Sequence, residues 1–459
     1  MENNISSLKK IKYNLVFFIN FFFTLFPISY ICGNLFLNLN LLIFCLLGFL
    51  YLRDKKFYFQ PDLLLKIMIT FFLVVLISTF LANIKLFKSS GLNILDTDSI
   101  FKSLFFLRFL FLIIIICLLK QYNAIKFEYF FYVAGLLSIL IALDVIFQYT
   151  FGSNIVGLKG NIAGKNSSFF GEEGIAGAFI ERFSFFSIFF IFYFAEKKKY
   201  YTFLLTSLTI YILCLGILFS GNRMPLILFL LGLIILFVIF KKFRKKIIFS
   251  LSIFVISFFL LSSNNQAIKD SFYSFYLNSK SILVEFSKNT LKLQNNLKLN
   301  IAEKDKDGIL KELPAQSGHE YLFLTAVDTW KLNKIFGGGI KSFRKDCIKI
   351  IKVKPDRICS NHPHNYHLEI LTETGIVGFF IFILFILFLL KYAFKTYLNL
   401  KEKSETEYFI FLASIICLIL ELFPLRSTGS FFSTNNATYI ALILSIMISS
   451  NINCKKSAA

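Results

Sequence analysis

The sequence predicts an all-α polytopic membrane protein with about 12 transmembrane helices and one large periplasmic loop. Three observations favour this class. Apolar residues make up 56% of the chain, whereas globular proteins contain about 45–50%. The mean hydropathy is +0.70, and many apolar runs approach the ~20 residues that cross a bilayer. Basic residues gather in the short segments between those runs.

The apolar runs follow one another along most of the chain. The first run has no signal-peptide cleavage site beside it and is followed by many others, so it is predicted to be a span rather than a signal peptide. The predicted spans are 14–31, 34–52, 63–82, 101–119, 127–149, 176–195, 201–219, 225–240, 247–263, 376–392, 408–423 and 437–450.

Lysine and arginine residues mark alternate short loops. They occur in the N-terminal tail, after the second, fourth, sixth, eighth and tenth predicted spans, and in the C-terminal tail, whereas the opposite short loops hold few of them. Because cytoplasmic loops carry an excess of Lys and Arg, both termini are predicted to be cytoplasmic. The net charge of +22 is therefore explained by orientation in a membrane, and no nucleic-acid partner is predicted.

This reading divides the chain into three parts. Residues 1–263 are predicted to hold transmembrane helices one to nine, residues 264–374 a large periplasmic loop with short helices, and residues 375–459 helices ten to twelve. Long loops cross the membrane largely regardless of their charge, so a lysine-rich outer loop agrees with this topology. Within the loop, residues 320–336 predict an amphipathic helix that ends at the glycines 337–339. These glycines are a turn or a phosphate-contacting loop.

Three of the four histidines lie in one stretch before the tenth predicted span, at His362, His364 and His367. Asn365 is predicted to cap a short helix, and Gly375 to end it. His364 would then lie at a helix N-terminus, where backbone N–H groups attract phosphate. Histidine also titrates near neutral pH. This combination indicates chemistry on a lipid-linked phosphate at the membrane surface.

Ionisable residues inside apolar runs are candidates for function. Arg182, Arg223 and Arg426 lie at the predicted outer face, where bidentate guanidinium groups could bind a diphosphate. The alternative is that Glu181 or Glu172 pairs with Arg182, and that Glu421 pairs with Arg426. Arg108 and Asp144 are predicted either to pair with each other or to line a substrate groove.

Cys347 and Cys359 lie twelve residues apart in the predicted outer loop. An oxidising compartment permits a disulfide between them, and this pairing is predicted. A metal cluster of Cys359 with the three neighbouring histidines is the alternative, but the spacing matches neither the CxxC nor the HExxH pattern. No metal and no cofactor are predicted.

Four ordered blocks between residues 100 and 400 carry a family resemblance. HPHNYHLEILTETGIVG before an apolar run resembles the signature of the O-antigen ligase and O-antigen polymerase superfamily. SGNRMPLILFLLGLIILFV, SSFFGEEGIAGAFIERFSFF and TWKLNKIFGGGIKSFR resemble three further segments of that superfamily. The resemblance implies an inverting, metal-independent membrane glycosyltransferase of GT-C-like architecture that uses undecaprenyl-diphosphate-linked sugars in the bacterial inner membrane. It also implies that His364, Arg182 and Arg223 are catalytic or bind diphosphate.

Residues with possible supporting roles complete the predicted site. Glu173 is a second candidate base, and the other predicted substrate-binding residues are Asn365, Arg426, Arg108 and His362. The acceptor is predicted to be a second lipid-linked glycan, as in a polymerase of surface polysaccharide. The alternatives are a ligase, which would attach O-antigen to the lipid A core of lipopolysaccharide, and a polytopic transporter, although the paired broken helices of transporters are not visible.

Overall fold

A computed structural model describes residues 14–55, 63–90, 96–161, 164–196, 198–264, 269–270, 273, 318–355, 357–400 and 405–450. In these ranges the regular structure is helical, apart from one isolated β-bridge between Ser153 and Lys159. A large part of the predicted outer loop, including residues 274–317, lies outside the described residues, as do the two terminal tails and Cys454.

Fifteen helices are labelled here in chain order. They are α1 Asn14–Thr24, α2 Phe26–Cys32, α3 Asn34–Leu52, α4 Leu63–Ser90, α5 Thr97–Gln121, α6 Phe127–Phe151, α7 Ala176–Ala195, α8 Lys199–Phe219, α9 Arg223–Ile239, α10 Arg244–Asn264, α11 Gly318–Trp330, α12 Phe343–Val353, α13 Tyr366–Leu400, α14 Glu405–Glu421 and α15 Thr434–Ser449. Short 3₁₀ turns cover Ser168–Phe170 and Lys241–Phe243.

Eight of the described helices are long and apolar enough to cross a membrane, and a ninth span is obtained if the bent pair α1 and α2 is counted as one. The predicted twelve spans are therefore not confirmed. The three remaining apolar helices, α9, α14 and α15, have 17, 17 and 16 residues, fewer than the ~20 that a bilayer requires. The helical class and the many apolar spans agree with a polytopic membrane protein.

Three helices lie largely inside the bundle. Nearly every side chain of α15 is buried, as are most of those of α14 and α7. Helix α7 packs against α6 and α8, α15 packs against α5, and α4 packs against α13. By contrast, α3 and α10 expose many large apolar side chains, such as Leu35 and Phe259, as expected of helices that face lipid.

Helix α13 is broken near its start. Asn365 accepts a hydrogen bond from the backbone N–H of Leu368 at 3.1 Å, which confirms it as the helix cap. Gly375 has φ 67° and ψ −168° inside the helix, so the predicted stop is confirmed as a break between a short first segment and the long span. A Cβ atom at Gly375 would lie 2.2 Å from the carbonyl oxygen of Ile335, so only glycine fits there.

The glycines 337–339 fill this break. The backbone N–H groups of Gly338 and Gly339 donate to the carbonyls of Thr372 and Glu373 at 3.1 and 2.9 Å, and Ile376 donates to Lys334 at 2.9 Å. A hydrogen bond at 3.0 Å from the Ile340 N–H to the Thr79 hydroxyl adds α4 to the contact. The glycine run is therefore a turn, since two of its N–H groups are used within the chain rather than offered to phosphate.

Helices α11 and α12 form a small layer on the same side. Asp328 is nearly buried and accepts hydrogen bonds or ion pairs from Lys331, Lys354 and Arg357 at 2.8 to 3.0 Å. Burial raises the pKa of Asp328, but these cations outweigh burial and hold the pKa at about 2. A disulfide joins Cys347 to Cys359, with 5.3 Å between the Cα atoms. It connects α12 to the stretch that carries the histidines.

We expect the disulfide to protect both cysteines from alkylation. Maleimide labelling of the folded protein without reductant should leave Cys347 and Cys359 unmodified, whereas Cys32, whose side chain is exposed, should label as the internal control. Peptide mass spectrometry before and after reduction measures this. Free labelling of Cys347 and Cys359 in unreduced protein would show that the two segments are held together by packing alone.

Candidate functional site

A polar cavity with a volume of about 810 Å³ lies at one end of the helix bundle. Its wall is formed by the segments around 165–183, 221–228 and 426–436, with additions from the start of α3 and from the histidine stretch. The ionisable side chains on its wall are Lys165, Glu173, Arg182, Arg223, His362 and Arg426. Five of these six residues were predicted from the sequence, all except Lys165, and the fold brings them together from different parts of the chain.

Three helix N-termini meet at this cavity. Gly174 and Ile175 precede α7, Asn222 precedes α9, and Ser433 precedes α15, and all of them line the wall. At α15 the Ser433 hydroxyl accepts a hydrogen bond from the N–H of Asn436 at 3.4 Å. A helix N-terminus carries a partial positive charge and unsatisfied N–H groups. The cavity is therefore suited to an anion such as a diphosphate.

Arg182 is held in a fixed orientation behind the wall. Its Nε and Nη2 donate to the two oxygens of Glu421 at 3.0 and 2.7 Å, and Nη2 also donates to Asn436 at 2.7 Å. The Tyr366 hydroxyl donates to the same carboxylate at 2.6 Å. The guanidinium stacks on Tyr439, with 4.9 Å to the ring centre. Nη1 is the guanidinium nitrogen of Arg182 that makes no hydrogen bond within the described residues.

Arg426 completes a buried network of two arginines and two glutamates. Its Nη1 lies 3.0 Å from Glu181, and its Nη2 lies 3.1 Å from Glu421. The expected pairing of Arg426 with Glu421 is therefore confirmed, whereas the expected pairing of Arg182 with Glu181 or Glu172 is wrong. Sequence proximity suggested the second pair, but adjacent residues of one helix point in different directions.

Two other residues on the cavity wall are more accessible to solvent. Arg223 is half-buried at the first position of α9, and Glu173 is exposed just before α7. The Asn222 amide connects the segments that carry them, because it donates to the carbonyl of Gly174 at 2.9 Å. Lys165 adds a further cation there, with its Nζ 3.5 Å from the Asn222 side chain. Neither Lys165 nor Asn222 was a predicted site residue.

His362 is the histidine that lines the cavity. Its Nε2 is buried and has no hydrogen-bond partner among the described residues. Burial, and then the nearby His364 and Lys341, lower the pKa of His362 to about 4. His362 is therefore uncharged at neutral pH and is a weak base there.

His364 lies beside His362 but is not on the cavity wall. The two ring centres are 4.2 Å apart, and the His364 carbonyl accepts a hydrogen bond from the N–H of Thr428 at 3.0 Å. His364 has φ 58°, a left-handed conformation that costs a non-glycine residue about 1–3 kcal/mol. Such strain is typical of functional sites.

Two predicted substrate-binding residues lie off the cavity wall. The Asn365 amide is buried and donates to the carbonyls of Pro424 and Arg426 at 2.6 and 3.3 Å. Arg108 donates to the Thr434 hydroxyl at 2.8 Å and stacks on a phenylalanine ring. The expected pairing of Arg108 with Asp144 is wrong, because Asp144 instead accepts a hydrogen bond from Ser168 and another from a nearby backbone N–H. Asn365 and Arg108 therefore connect segments that surround the cavity.

The residues of the alternative metal cluster are separated by other interactions. Cys359 is in the disulfide, and the His367 Nε2 lies 3.0 Å from the carbonyl of Leu422. No group of three or more His, Cys, Asp or Glu side chains within the described residues is arranged to hold a metal ion. His367 thus supports the packing of α13 against the end of α14.

A second hydrogen-bonded network of charged side chains borders the cavity at Ser430. The Ser430 hydroxyl donates to Glu369 at 2.5 Å and accepts from the Nζ of Lys341. Glu369 and the neighbouring Glu373 are fully buried, and Glu373 accepts a hydrogen bond from the backbone N–H of Lys341 at 2.7 Å. Lys341 was not a predicted site residue, although it follows the glycines 337–339 closely. The sequence alone does not show that this turn lies near the cavity.

A comparison with known protein families finds a match in the middle of the chain. Residues 208–383 match the family model described as O-Antigen ligase. This match supports a relation of the chain to the O-antigen ligase and polymerase superfamily. A search of curated proteins finds no match. The apolar spans agree with a multi-pass membrane protein, and the matched family is one of enzymes that act on lipid-linked glycans.

The matched segment contains only part of the cavity of this O-antigen ligase-like protein. Arg223, His362 and His364 fall within residues 208–383, whereas Arg182 and Arg426 fall outside it. Both outer arginines nevertheless line the same cavity. The fold therefore adds residues from both sides of the matched segment to one site.

Proposed function

We propose that the protein transfers a glycan from an undecaprenyl-diphosphate-linked donor to an acceptor sugar hydroxyl in the 810 Å³ cavity. The observation that carries this proposal is the meeting of three helix N-termini with a set of basic side chains at one wall. In the reaction, the acceptor oxygen forms a bond to the sugar C1 carbon. The C1–O bond to phosphate breaks, and the diphosphate leaves with the electron pair. Attack from the opposite face inverts C1.

Diphosphate stabilisation is assigned to Arg223, Arg182 and the helix N-termini. Charge that develops on the leaving group is best stabilised by donors already fixed in place, and the network around Glu421 fixes Arg182 in this way. Arg182 would contribute Nη1 and its overall charge, and Lys165 would add a further cation. Arg223 can present a bidentate fork. No step of this scheme uses a metal or a cofactor.

Proton removal from the acceptor hydroxyl is assigned to His364. A general base works best when its pKa lies near the working pH, which disfavours His362 with a pKa of about 4. His362 would instead accept a hydrogen bond at Nε2 and orient the acceptor. Glu173 is the second candidate base, because its exposed carboxylate lies on the same wall.

The acceptor defines two candidate functions. We propose a polymerase of surface polysaccharide, for which the acceptor is a second lipid-linked glycan, acting at the periplasmic face of the inner membrane with both termini in the cytoplasm. The family description as O-Antigen ligase favours a second candidate, transfer to the lipid A core. A polytopic transporter is the alternative that is not an enzyme. Deletion of the gene separates the two enzyme candidates: loss of long chains alone supports the polymerase, and loss of all surface polymer supports the ligase.

Arg223→Lys should reduce glycan transfer by roughly 10²-fold, which is the usual loss when one fixed donor to a developing charge is removed. Lysine keeps the charge but lacks the planar fork. The measurement is the amount of surface polymer on a gel after complementation of the deletion strain, at equal protein level. Arg53→Lys is the matched control, because Arg53 is exposed and pairs only with Asp54. Full activity of Arg223→Lys would remove Arg223 from the diphosphate site.

A further inference from the structure

A second charged cavity lies at the opposite end of the bundle. It has a volume of about 440 Å³ and is formed by the end of α7, the start of α8 and the link that leads into α10. One acidic residue, Glu196, lines it, together with five lysines: Lys199, Lys241, Lys242, Lys245 and Lys246. The proposed glycan transfer uses none of these residues.

Most of the positive charge in this cavity is not neutralised. Lys242 lies 3.4 Å from Glu196, and the Glu196 carboxyl also hydrogen-bonds Glu405 of α14. Lys246 donates to the carbonyl of Lys242 at 2.8 Å and lies over the Phe192 ring. The side-chain ammonium groups of the other three lysines make no hydrogen bond or ion pair with the described residues; they are those of Lys199, Lys241 and Lys245.

Backbone groups add to this field. Helix α8 begins at Lys199 and α10 begins at Arg244, so two helix N-termini face the same region. Each brings a partial positive charge and N–H groups. The Arg244 guanidinium itself donates to the carbonyls of Phe237 and Val238. The cavity therefore combines side-chain and backbone features that favour an anion carrying phosphate oxygens.

The position of the cavity distinguishes lipid from soluble phosphate. Three candidate spans end or begin here, at Ala195, Lys199 and Lys241. Tyr200 and Tyr201 are 71% and 51% exposed next to the cavity, and exposed tyrosines of this kind mark the membrane–water interface. The rings of Phe192 and Phe203 also line the cavity. A ligand with a phosphate head and apolar chains satisfies both kinds of lining.

We propose that this cavity binds the phosphate headgroup of an anionic glycerophospholipid. Basic pockets between transmembrane helices on the cytoplasmic side are suited to such headgroups. The alternating basic loops predict that this end is cytoplasmic. The site lies at the other end of the bundle from the glycan cavity, so the proposal does not depend on the proposed glycosyl transfer.

The test compares three forms of the full chain purified in a neutral detergent. The site variant carries Lys199→Gln, Lys241→Gln and Lys245→Gln, and the matched control carries Lys55→Gln, Lys391→Gln and Lys395→Gln, which remove equal charge from other basic loops. Each is titrated with phosphatidylglycerol, with phosphatidylcholine and with inorganic phosphate. The thermal unfolding midpoint and lipid retention in native mass spectrometry report binding.

The wild-type and control proteins should bind phosphatidylglycerol with equal affinity, and the site variant roughly 100-fold more weakly, because each basic residue near an anionic surface contributes about fivefold. Phosphatidylcholine and inorganic phosphate should produce no shift. Equal binding by the site variant would overturn the proposal, and so would a full shift with inorganic phosphate, which would assign the cavity to a soluble anion. If the site variant unfolds, salt decides: high NaCl should weaken phosphatidylglycerol binding to the wild-type protein, and salt-independent binding would refute the site.

Discussion

His364→Ala is expected to reduce polymer formation by about 10²–10⁴-fold, the usual contribution of a general base, while the protein level stays normal. His364 is half-buried beside the cavity-lining His362, so its ring can be removed without opening the core. The measurement is surface polymer in a complemented deletion strain, together with transfer in membranes that contain the lipid-linked donor. His367→Ala is the matched control and should be milder, because His367 contacts a carbonyl of α14.

The same experiment separates the two histidines at the site. His362→Ala should impair acceptor orientation less severely than His364→Ala impairs proton removal, because the pKa of about 4 makes His362 a weak base. A chelator should leave transfer unchanged, since no step assigned here requires a metal. Near-normal polymer from His364→Ala would overturn the base assignment, and loss of activity in chelator would show that transfer requires a metal.

Glu421→Gln is expected to destabilise the protein by about 3–5 kcal/mol, the usual cost of breaking a buried ion pair by removing one partner. Glu421 is 1% exposed and binds both Arg182 and Arg426. The neutral amide leaves two guanidinium groups with one carboxylate, that of Glu181. We expect low protein levels and a lower unfolding midpoint in detergent, in addition to lost transfer.

Glu407→Gln provides the comparison within the same helix. Glu407 is 31% exposed and pairs with Lys120 at 3.0 Å, so its loss should cost less than the loss of Glu421, which leaves two buried guanidinium groups with one carboxylate. Equal stability of the two variants would mean that the Glu421 network is not a source of stability. If Glu421→Gln folds normally but transfers no glycan, the network acts by orienting Arg182 rather than by supporting the fold.

Local rules predicted part of this site from the sequence. Asn365 and Gly375 were predicted as cap and break because each role depends on a few neighbouring residues. The cost of burying a charge in an apolar run singled out Arg182 and Arg426, and both line the cavity. The same rule selected Arg108, which is not on the cavity wall. The rule identifies a charged residue that needs a partner, but it does not identify the partner.

Long-range contacts explain the remainder. Lys165, Asn222 and Asn436 are ordinary polar residues in sequence, and only the meeting of α7, α9 and α15 brings them to one wall. The ion pairs that the structure shows in place of the predicted ones join residues more than 200 positions apart. The predicted number of spans is not confirmed for a related reason. A short apolar helix that is buried by other helices has the same composition as one that crosses lipid.

The turn at glycines 337–339 has a consequence for how the protein is made. Its N–H groups bond to carbonyls at 372 and 373, and the Ile376 N–H bonds back to Lys334. The turn therefore cannot be completed until the ribosome has delivered the start of α13. Until then, the segment that carries the disulfide lacks these backbone partners. A fragment that ends before residue 366 would consequently contain the sequence of this segment without the backbone hydrogen bonds that fix its conformation. The cavity wall, which also includes residues 426–436, is completed later still.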